Sequence, residues 1–459
     1  MGSRKTVSIG DLGRIVGGAT PSTKIRENWD GDIPWLSPKD LANYNQRYIS
    51  RGERNITQQG YESCSTKILP TGTVLFSSRA PIGYIAIAKN PVCTNQGFKS
   101  IIPNDEIDSL FLYYLLKANK DQIESSGSGT TFKELSGKTF SAIEVSIPTS
   151  KDEQTAIAHI LGSLDNKIEL NNQINDYLEE FVVAMFGEFY MSKWGNELPE
   201  GWSYQQVDNI AEKVAMGPFG SNIKVDTFVD EGVSIISGAH LKGLLLEESD
   251  YNHITEEHAS RLNNSMVYPG DIVFTHAGNI GQASLITEWS NEPKYIISQR
   301  QFYLRCDKSK LLPEIPALYF HTRMGKHVLT ANSTSTGVPS IAQPSSYLKS
   351  IELLVPDMPS QQRFVKTTKP LLHSIVANRN EIDCLGRLRD LLLPKLMSGE
   401  IDVSQVELPT QLNNHLAKKC LLIALSKQFI MRTSSLHQSN SIKGSPDQKP
   451  ISRIANMTL

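Results

Sequence analysis

The sequence predicts an α+β chain with two homologous globular domains in a pseudo-two-fold repeat, each followed by a long helix. Three observations predict it. The stretch Ile68–Phe76 (ILPTGTVLF) returns as Met266–Phe274 (MVYPGDIVF), and Ile82-Gly83 returns as Ile280-Gly281 at the same offset. Ala142–Pro148 (AIEVSIP) likewise returns as Ser350–Pro356 (SIELLVP), with Gln154 then falling on Gln362. After each of these proline-ended segments comes a run with helical apolar spacing, far longer than a turn. A period near 200 residues is too long for a solenoid and describes two copies of a whole domain.

The elements follow in order. Residues 1–149 form the first globular domain, with strand-like runs such as Thr73–Phe76 and Tyr84–Ala88 broken by turns. Residues 150–190 form the first long helix. Ser150 with Glu153 three positions on is a capping-box start, and Ile157, Ile160, Leu164, Ile174, Leu178, Phe181 and Met185 share one heptad seam, interrupted by Lys167 and Asn171. The Gly- and Pro-containing stretch Lys193–Trp202 marks the passage into the second domain, 191–356. Residues 357–404 form the second long helix, starting near Ser360 just past Pro359. Its apolar residues are Phe364, Val365, Leu371, Leu372, Ile375, Ile382, Leu385, Leu388 and Leu392, and Pro394 is expected to end or kink it. Each helix, at ~1.5 Å per residue, is about 55 Å long, more than a small domain needs to close its own core. Two such helices in one chain are expected to pack on each other. The basic tail, 405–459, has no counterpart after the first copy. A short helix is expected over 415–431 and disorder from Arg432, leaving a partner contact, a basic arm and an idle extension all open.

Composition bounds the function. The net charge of −2 argues against bulk attraction to nucleic acid, so any such binding must use local patches. Residues 151–190 are strongly acidic, which suits a helix facing protein rather than phosphate. The five cysteines form no CxxC pair and read as reduced thiols, not a zinc or disulfide framework. No run approaches ~18 apolar residues, no secretory pattern opens the chain, and a cytoplasmic protein with no membrane contact is expected. The opening Met1-Gly2-Ser3-Arg4-Lys5-Thr6 fits both an N-myristoylation pattern and an expression scar.

Catalytic motifs are imitated rather than present. Ser136-Gly137-Lys138-Thr139 resembles the end of a phosphate-binding loop, but the required first glycine is replaced by Phe132, and the repeat aligns Gly137-Lys138-Thr139 with Ser345-Ser346-Tyr347. The stretch is read as a turn; a nucleotide-binding enzyme using the Lys138 loop is the alternative of another class. His253-Ile254-Thr255-Glu256-Glu257-His258 has neither zinc-peptidase spacing, and no GxSxG occurs. The reading is a chain with no catalytic residue and no metal site.

Leu198-Pro199-Glu200-Gly201-Trp202, the run Leu391–Ile401 (LLLPKLMSGEI), and the junctions Ile147-Pro148 to Gln154 and Val355-Pro356 to Gln362 together resemble the specificity subunit of Type I restriction–modification systems, over roughly residues 7–404. The resemblance implies two target-recognition domains that each read half of a split double-stranded DNA site. It also implies that the helices are conserved spacers packed as an antiparallel coiled coil. It further implies a non-catalytic scaffold for two methyltransferase subunits and for restriction/translocase subunits. S-adenosylmethionine, ATP and Mg would then belong to those partners, with no cofactor in this chain. A specificity subunit serving methylation without ATP-dependent translocation is the alternative of the same class, and a two-lobed adaptor without DNA is a third.

Loops after matched strands are the expected DNA-binding positions. Ser78 and Arg79 in the first copy, and His276 and Asn279 in the second, lie in the two copies of one loop; Gln96 matches Gln299 and Arg300 in another. Lys39 and His240 lie in a further matched pair of segments, and Gly129–Lys133 is aligned with Gly337–Ile341, which adds Thr131, Lys133 and Ser340. Gln suits adenine, Arg suits guanine, and basic side chains suit phosphate. The run Arg47–Arg54 is read as a solvated basic face.

Overall fold

The computed structural model describes residues 3–129, 133–219, 223–334 and 337–403. The expectations for residue 131 and for the tail, 405–459, lie outside the described residues. The chain divides into two compact units, one holding residues up to 160 and from 394, the other residues 161–393.

In the first unit five strands lie in the order Gly13–Gly17, Lys99–Pro103, Val74–Ser78, Ile82–Ala88 and Tyr48–Ile49. All neighbours are antiparallel except the last pair. Val74, Leu75 and Phe76 are all fully buried. A continuous apolar run of this kind needs cover on both faces, and the helix Ser109–Ala118 packs against the neighbouring strand. Asp108 starts that helix by accepting the Phe111 amide at 2.8 Å. A smaller sheet has the order Arg54–Ile56, Trp29–Leu36, Cys93–Thr94.

The second unit repeats this topology. Its main sheet runs Ala211–Met216, Gln301–Cys306, Asp271–Thr275, Ala283–Leu285, again antiparallel throughout. A single parallel bridge, Leu245 to Leu285, stands where the first unit has its fifth strand. The smaller sheet runs Asn252–Ile254, Val233–Ile236, Tyr295–Ile297, Met266–Val267, the inner pair parallel as in the first unit. In each unit a two-stranded ribbon joins the start of the domain to its end: Arg4–Ser8 with Glu144–Pro148, and Ser203–Gln206 with Glu352–Val355.

Each ribbon delivers the chain into a long helix, Lys151–Phe189 (39 residues) and Met358–Ser398 (41 residues). A buried glutamine pins each junction. Gln154 donates to the Pro148 carbonyl at 3.3 Å; Gln361 donates to Pro356 O at 2.8 Å and accepts the Leu312 amide at 2.8 Å. The equivalent of Gln154 is therefore Gln361, not Gln362, because the junction is one residue shorter in the second copy. The Leu198–Trp202 motif serves the same joint: Trp202 Nε1 donates to Asp357 Oδ2 at 3.0 Å, beside Phe189.

The helices depart from the expected seam. Ile157, Ala158, Leu161, Val182 and Phe186 are the buried apolar positions of the first, whereas Phe181 is 38% exposed. In the second, Phe364, Val365, Leu372, Ile375 and Val376 are buried while Leu388 and Leu391 are exposed. The stripe is not a single heptad seam because the helices also pack against the domain: Phe186 and Phe364 belong to the same cluster as the strands Gln301–Cys306 and Glu352–Val355. Pro394 does not end the second helix, which runs through it to Ser398.

Within residues 161–393 the helices run antiparallel, as a ladder of polar contacts shows. Arg389 meets Asp165 at 2.7 Å, Asn171 donates to Glu381 at 2.7 Å, and Asn378 donates to Asn175 at 2.8 Å. As residue numbers rise on one helix they fall on the other. Asp165 is buried and Arg389 mostly so, and a charge stripped of its partner in such a place is costly. Asp165→Ala should therefore lower stability by about 2 kcal/mol, since Asp390 still touches Arg389 at 2.8 Å. The double variant Asp165→Leu/Arg389→Met should recover most of the loss. Urea titrations followed by helical circular dichroism measure both.

Candidate nucleic-acid interface

One residue at the end of the central strand gathers the loops in each copy. In the first, the Ser78 amide donates to Gly97 O at 2.7 Å, and the Ser78 carbonyl accepts the Leu135 amide at 2.9 Å. In the second, the His276 amide donates to Arg300 O at 2.9 Å, and the His276 carbonyl accepts the Ile341 amide at 2.8 Å. The turn at 95–97 (298–300) and the segment at 133–135 (339–341) are thereby stitched to the same strand end. These bonds also set the alignment: Gln96 matches Gln299, and Glu134 matches Ser340, as the bridges Arg79 to Glu134 and Ala277 to Ser340 require. The expected alignment of Gly129–Lys133 with Gly337–Ile341 is two residues out: the bridges Ser128 to Glu134 and Thr334 to Ser340 close loops of equal length, and the second copy is longer between this loop and its last strand.

The loop between the two central strands then turns out of the sheet. Gly83 and Gly281 sit at φ +99° and +84°, a conformation that glycine adopts without penalty. Gly18 and Gly217 do something different: a Cβ there would lie 2.0 Å from Thr94 O and 1.9 Å from Ser298 O. Their bareness lets the end of the edge strand press against the turn at 95–97 (298–300). Sequence inspection passed over this pair, although both lie at nearly the same repeat offset.

A fourth segment completes the group. Ser37 and Ser237 each open a short 3₁₀ turn closed by the residue three positions on. Asp40 accepts the Ser37 amide at 2.7 Å and the Ser37 hydroxyl at 2.8 Å. His240 Nδ1 accepts the Ser237 amide at 2.9 Å. His240 therefore corresponds to Asp40, not to Lys39. In the second unit Ser237, Gly238, Ala239, Asn279, Gln282 and Arg300 line part of a cleft of about 330 Å³.

The expected site residues fall into two groups. Exposed at the loop tips are Lys39, Gln96, Lys133, Asn279, Gln299 and Arg300. Lys39 pairs with Glu53 at 2.9 Å, and Gln96 accepts from Thr20. Arg79 is partly exposed and faces Glu134 at 3.7 Å, a carboxylate the sequence reading did not single out. Arg300 makes no ion pair among the described residues, and its guanidinium stands 3.7 Å from where a Gly278 side chain would begin. Turned inward are Ser78, fully buried with its hydroxyl donating to Gly97 O at 3.1 Å, and His240, 4% exposed. Burial holds the His240 imidazole below its ordinary pKa. His276 is half-buried, its Nε2 3.1 Å from Gln299 O. Ser340 Oγ lies 3.0 Å from Thr334 Oγ1. These four shape the loops rather than present themselves from the tips.

Two other readings are corrected. Gly137-Lys138-Thr139 is not a turn but the opening of a six-residue helix, Gly137–Ala142, capped by Ser136, which accepts the Thr139 amide at 3.0 Å. Its Phe140 stacks on Phe76 at 5.0 Å, so the stretch anchors the helix to the central strand. The run Arg47–Arg54 is a solvated face only in part: Arg51 and Arg54 are exposed, Arg54 lying 3.6 Å over the Trp29 ring, whereas Arg47 is buried.

Paired sheets with convergent polar loops, each leading into a long helix, give the chain the architecture of a duplicated module. The model of the Type I restriction modification DNA specificity domain matches residues 2–180. The chain is 35% identical over 416 residues to the Type I restriction enzyme MjaIX specificity subunit of Methanocaldococcus jannaschii, covering 87% of this chain and 93% of that one. It is 22% identical over 421 residues to the MjaVIII specificity subunit of the same organism, covering 88% and 94%. A crystal structure of a Type I restriction–modification S subunit from M. genitalium shares the fold, with a TM-score of 0.56 at 14% identity, over 86% of this chain and 96% of that one. The chain belongs to the family of Type I restriction enzyme specificity subunits, non-catalytic subunits that recognise DNA sequence. No helix among the described residues is long and apolar enough to cross a membrane.

The close approaches at Gly18 and Gly217 predict how the reading turns are placed. Gly217→Ala and Gly18→Ala should each destabilise the protein by about 2 kcal/mol or more, because a backbone oxygen must move. Gly187→Ala, where nothing lies within 4 Å, should be neutral or stabilising by up to ~1 kcal/mol. Thermal denaturation of the three variants separates these outcomes.

Proposed function

We propose that each four-loop constellation reads one half of a bipartite double-stranded DNA site, and that the antiparallel helices fix the distance between the halves. The observation that carries this reading is that the same backbone stitch, at Ser78 and at His276, recurs with different side chains around it. A conserved frame with variable tips is what two readers of different sequences need. Each mismatched base pair costs ~1–3 kcal/mol, so one small domain discriminates weakly and two in one chain add their discrimination. Fixed half-site spacing follows from fixed protein geometry, as in symmetric dimers.

The tip residues are assigned by chemistry. Arg300 and Gln299 at one turn, with Asn279 beside them, offer the fork of donors that suits guanine and the amides that suit adenine. In the first domain Gln96, Lys133 and Arg79 hold the corresponding places and Lys39 flanks them; Thr131, outside the described residues, is proposed from its place in the sequence alone. Ser78, His240, His276 and Ser340 act by holding the loops. Phosphate contacts supply affinity and orientation, base contacts the sequence choice.

The chain itself catalyses nothing in this reading. Methyltransferase subunits docked along the acidic first helix and its partner would bring S-adenosylmethionine, and restriction/translocase subunits would bring ATP and Mg. An assembly that methylates without translocating differs only in lacking the latter.

Two outcomes are expected. Exchanging residues 1–149 for those of another family member should change one half of the methylated sequence and leave the other; an unchanged sequence, read by single-molecule sequencing, would refute the proposal. Arg300→Ala should weaken site-specific binding by about 5- to 150-fold, the worth of a good bidentate base contact. Arg79→Ala should cost less, because Glu134 already offsets that charge. Competition binding at fixed salt measures both.

A further inference from the structure

We propose that His240 is a proton-sensitive fastener of the Ser237–His240 loop, so that acidification loosens the second recognition domain while the first stays intact. The inference rests on reading the cleft beside this loop as a DNA interface.

The two copies close the same turn with different chemistry. In the first, the Asp40 carboxylate accepts the Ser37 amide at 2.7 Å, the Ser37 hydroxyl at 2.8 Å and the Glu53 amide at 2.7 Å. In the second, the acceptor is the bare Nδ1 of a 4%-exposed imidazole, 2.9 Å from the Ser237 amide. Because Nδ1 accepts that amide, the neutral ring carries its proton on Nε2. A second proton has one place to go, Nδ1, where it would face the Ser237 N–H donor to donor. The bond would be lost and a charge left in a buried site.

The surroundings decide the direction. The Tyr251 ring lies against the imidazole at 4.4 Å. Glu247 and Glu248 favour the proton, Lys242 opposes it, and burial outweighs them all to hold the pKa below the usual value. Glu248 is already engaged, accepting from the Tyr251 and Tyr295 hydroxyls at 3.0 and 2.9 Å. The native state therefore binds this proton less readily than the unfolded chain. Its contribution to stability is complete above ~6.5, the ordinary imidazole pKa, and falls as pH drops through the lower folded value. As pH falls below about 6.5 the turn closed by the imidazole weakens. Ser237, Gly238 and Ala239 line the cleft that Arg300 and Asn279 also line, so freeing the turn alters the wall against which those side chains are set.

The test uses the full chain and then its assembled methyltransferase complex, with His240→Asn as a non-titrating acceptor and His240→Asp as the first copy's solution. Hydrogen exchange, corrected for intrinsic rates, follows peptides covering 233–241 and 33–41 at about pH 7.5 and 5.5. In the wild type, protection of the Ser237 amide should fall about tenfold at the lower pH, with the Ser37 turn unchanged. In His240→Asn and His240→Asp it should stay level. A wild type equally protected at both pH values, or a variant that loses protection as the wild type does, overturns the proposal. In competition binding, the wild-type complex should lose discrimination severalfold against changes in the second half-site at the lower pH, keep it for the first, and the variants should keep both. Level discrimination despite the expected exchange overturns the positioning role. A complex that discriminates neither half-site at about pH 7.5 overturns the DNA-reading proposal itself, and with it the positioning role, whatever the exchange shows.

Discussion

The loop cluster proposed to read DNA depends on two hydrogen bonds made by one residue at the end of the central strand. Ser78 and His276 each donate their amide to one loop and offer their carbonyl to another. Buried backbone groups must be paired, so a strand that ends against two loops satisfies itself by joining them. The side chains at this position are free to differ, a serine whose hydroxyl turns inward and a histidine that reaches the Gln299 carbonyl. The scaffold is thus carried by the main chain, and the tips are released to vary.

The same economy appears at the other joints. Glutamine pins both strand-to-helix junctions, yet at positions one residue apart relative to the repeat. Glycine permits both strand-to-turn approaches. The cap of the 3₁₀ turn is carboxylate in one copy and imidazole in the other. Equivalent geometry is preserved where backbone meets backbone, and chemistry drifts where a side chain performs the task. The paired helices follow a related rule: their middle is held by ionic and amide contacts that define register more than they add stability, as polar groups in apolar seams do.

Much of the fold was legible in the sequence because duplication compares the chain with itself. Val74–Phe76 against Ile272–Phe274 located the central strands, and Ile82-Gly83 against Ile280-Gly281 the loop after them. Helix length was legible from apolar recurrence, but not the buried face. Phe181 fits the heptad of the first helix and Leu388 belongs to the apolar run of the second, yet both are exposed, because the helices divide their packing between each other and a sheet. The Lys138 stretch misled in isolation: the missing first glycine spoke against a phosphate loop, but the capped helix start, with Phe140 buried, became visible only in the fold.

By itself the sequence determined the duplication, the α+β class and the strand-to-helix order, since these are written in local apolar pattern and internal repetition. The tertiary structure alone decided which residues stand together at each reading face. The Arg79–Glu134 pair joins positions 55 apart, Gly217 meets Ser298, and His240 turned out to be a cap rather than a tip. Such meetings arise from loop length and main-chain hydrogen bonding across a sheet, which leave no period in the sequence to read.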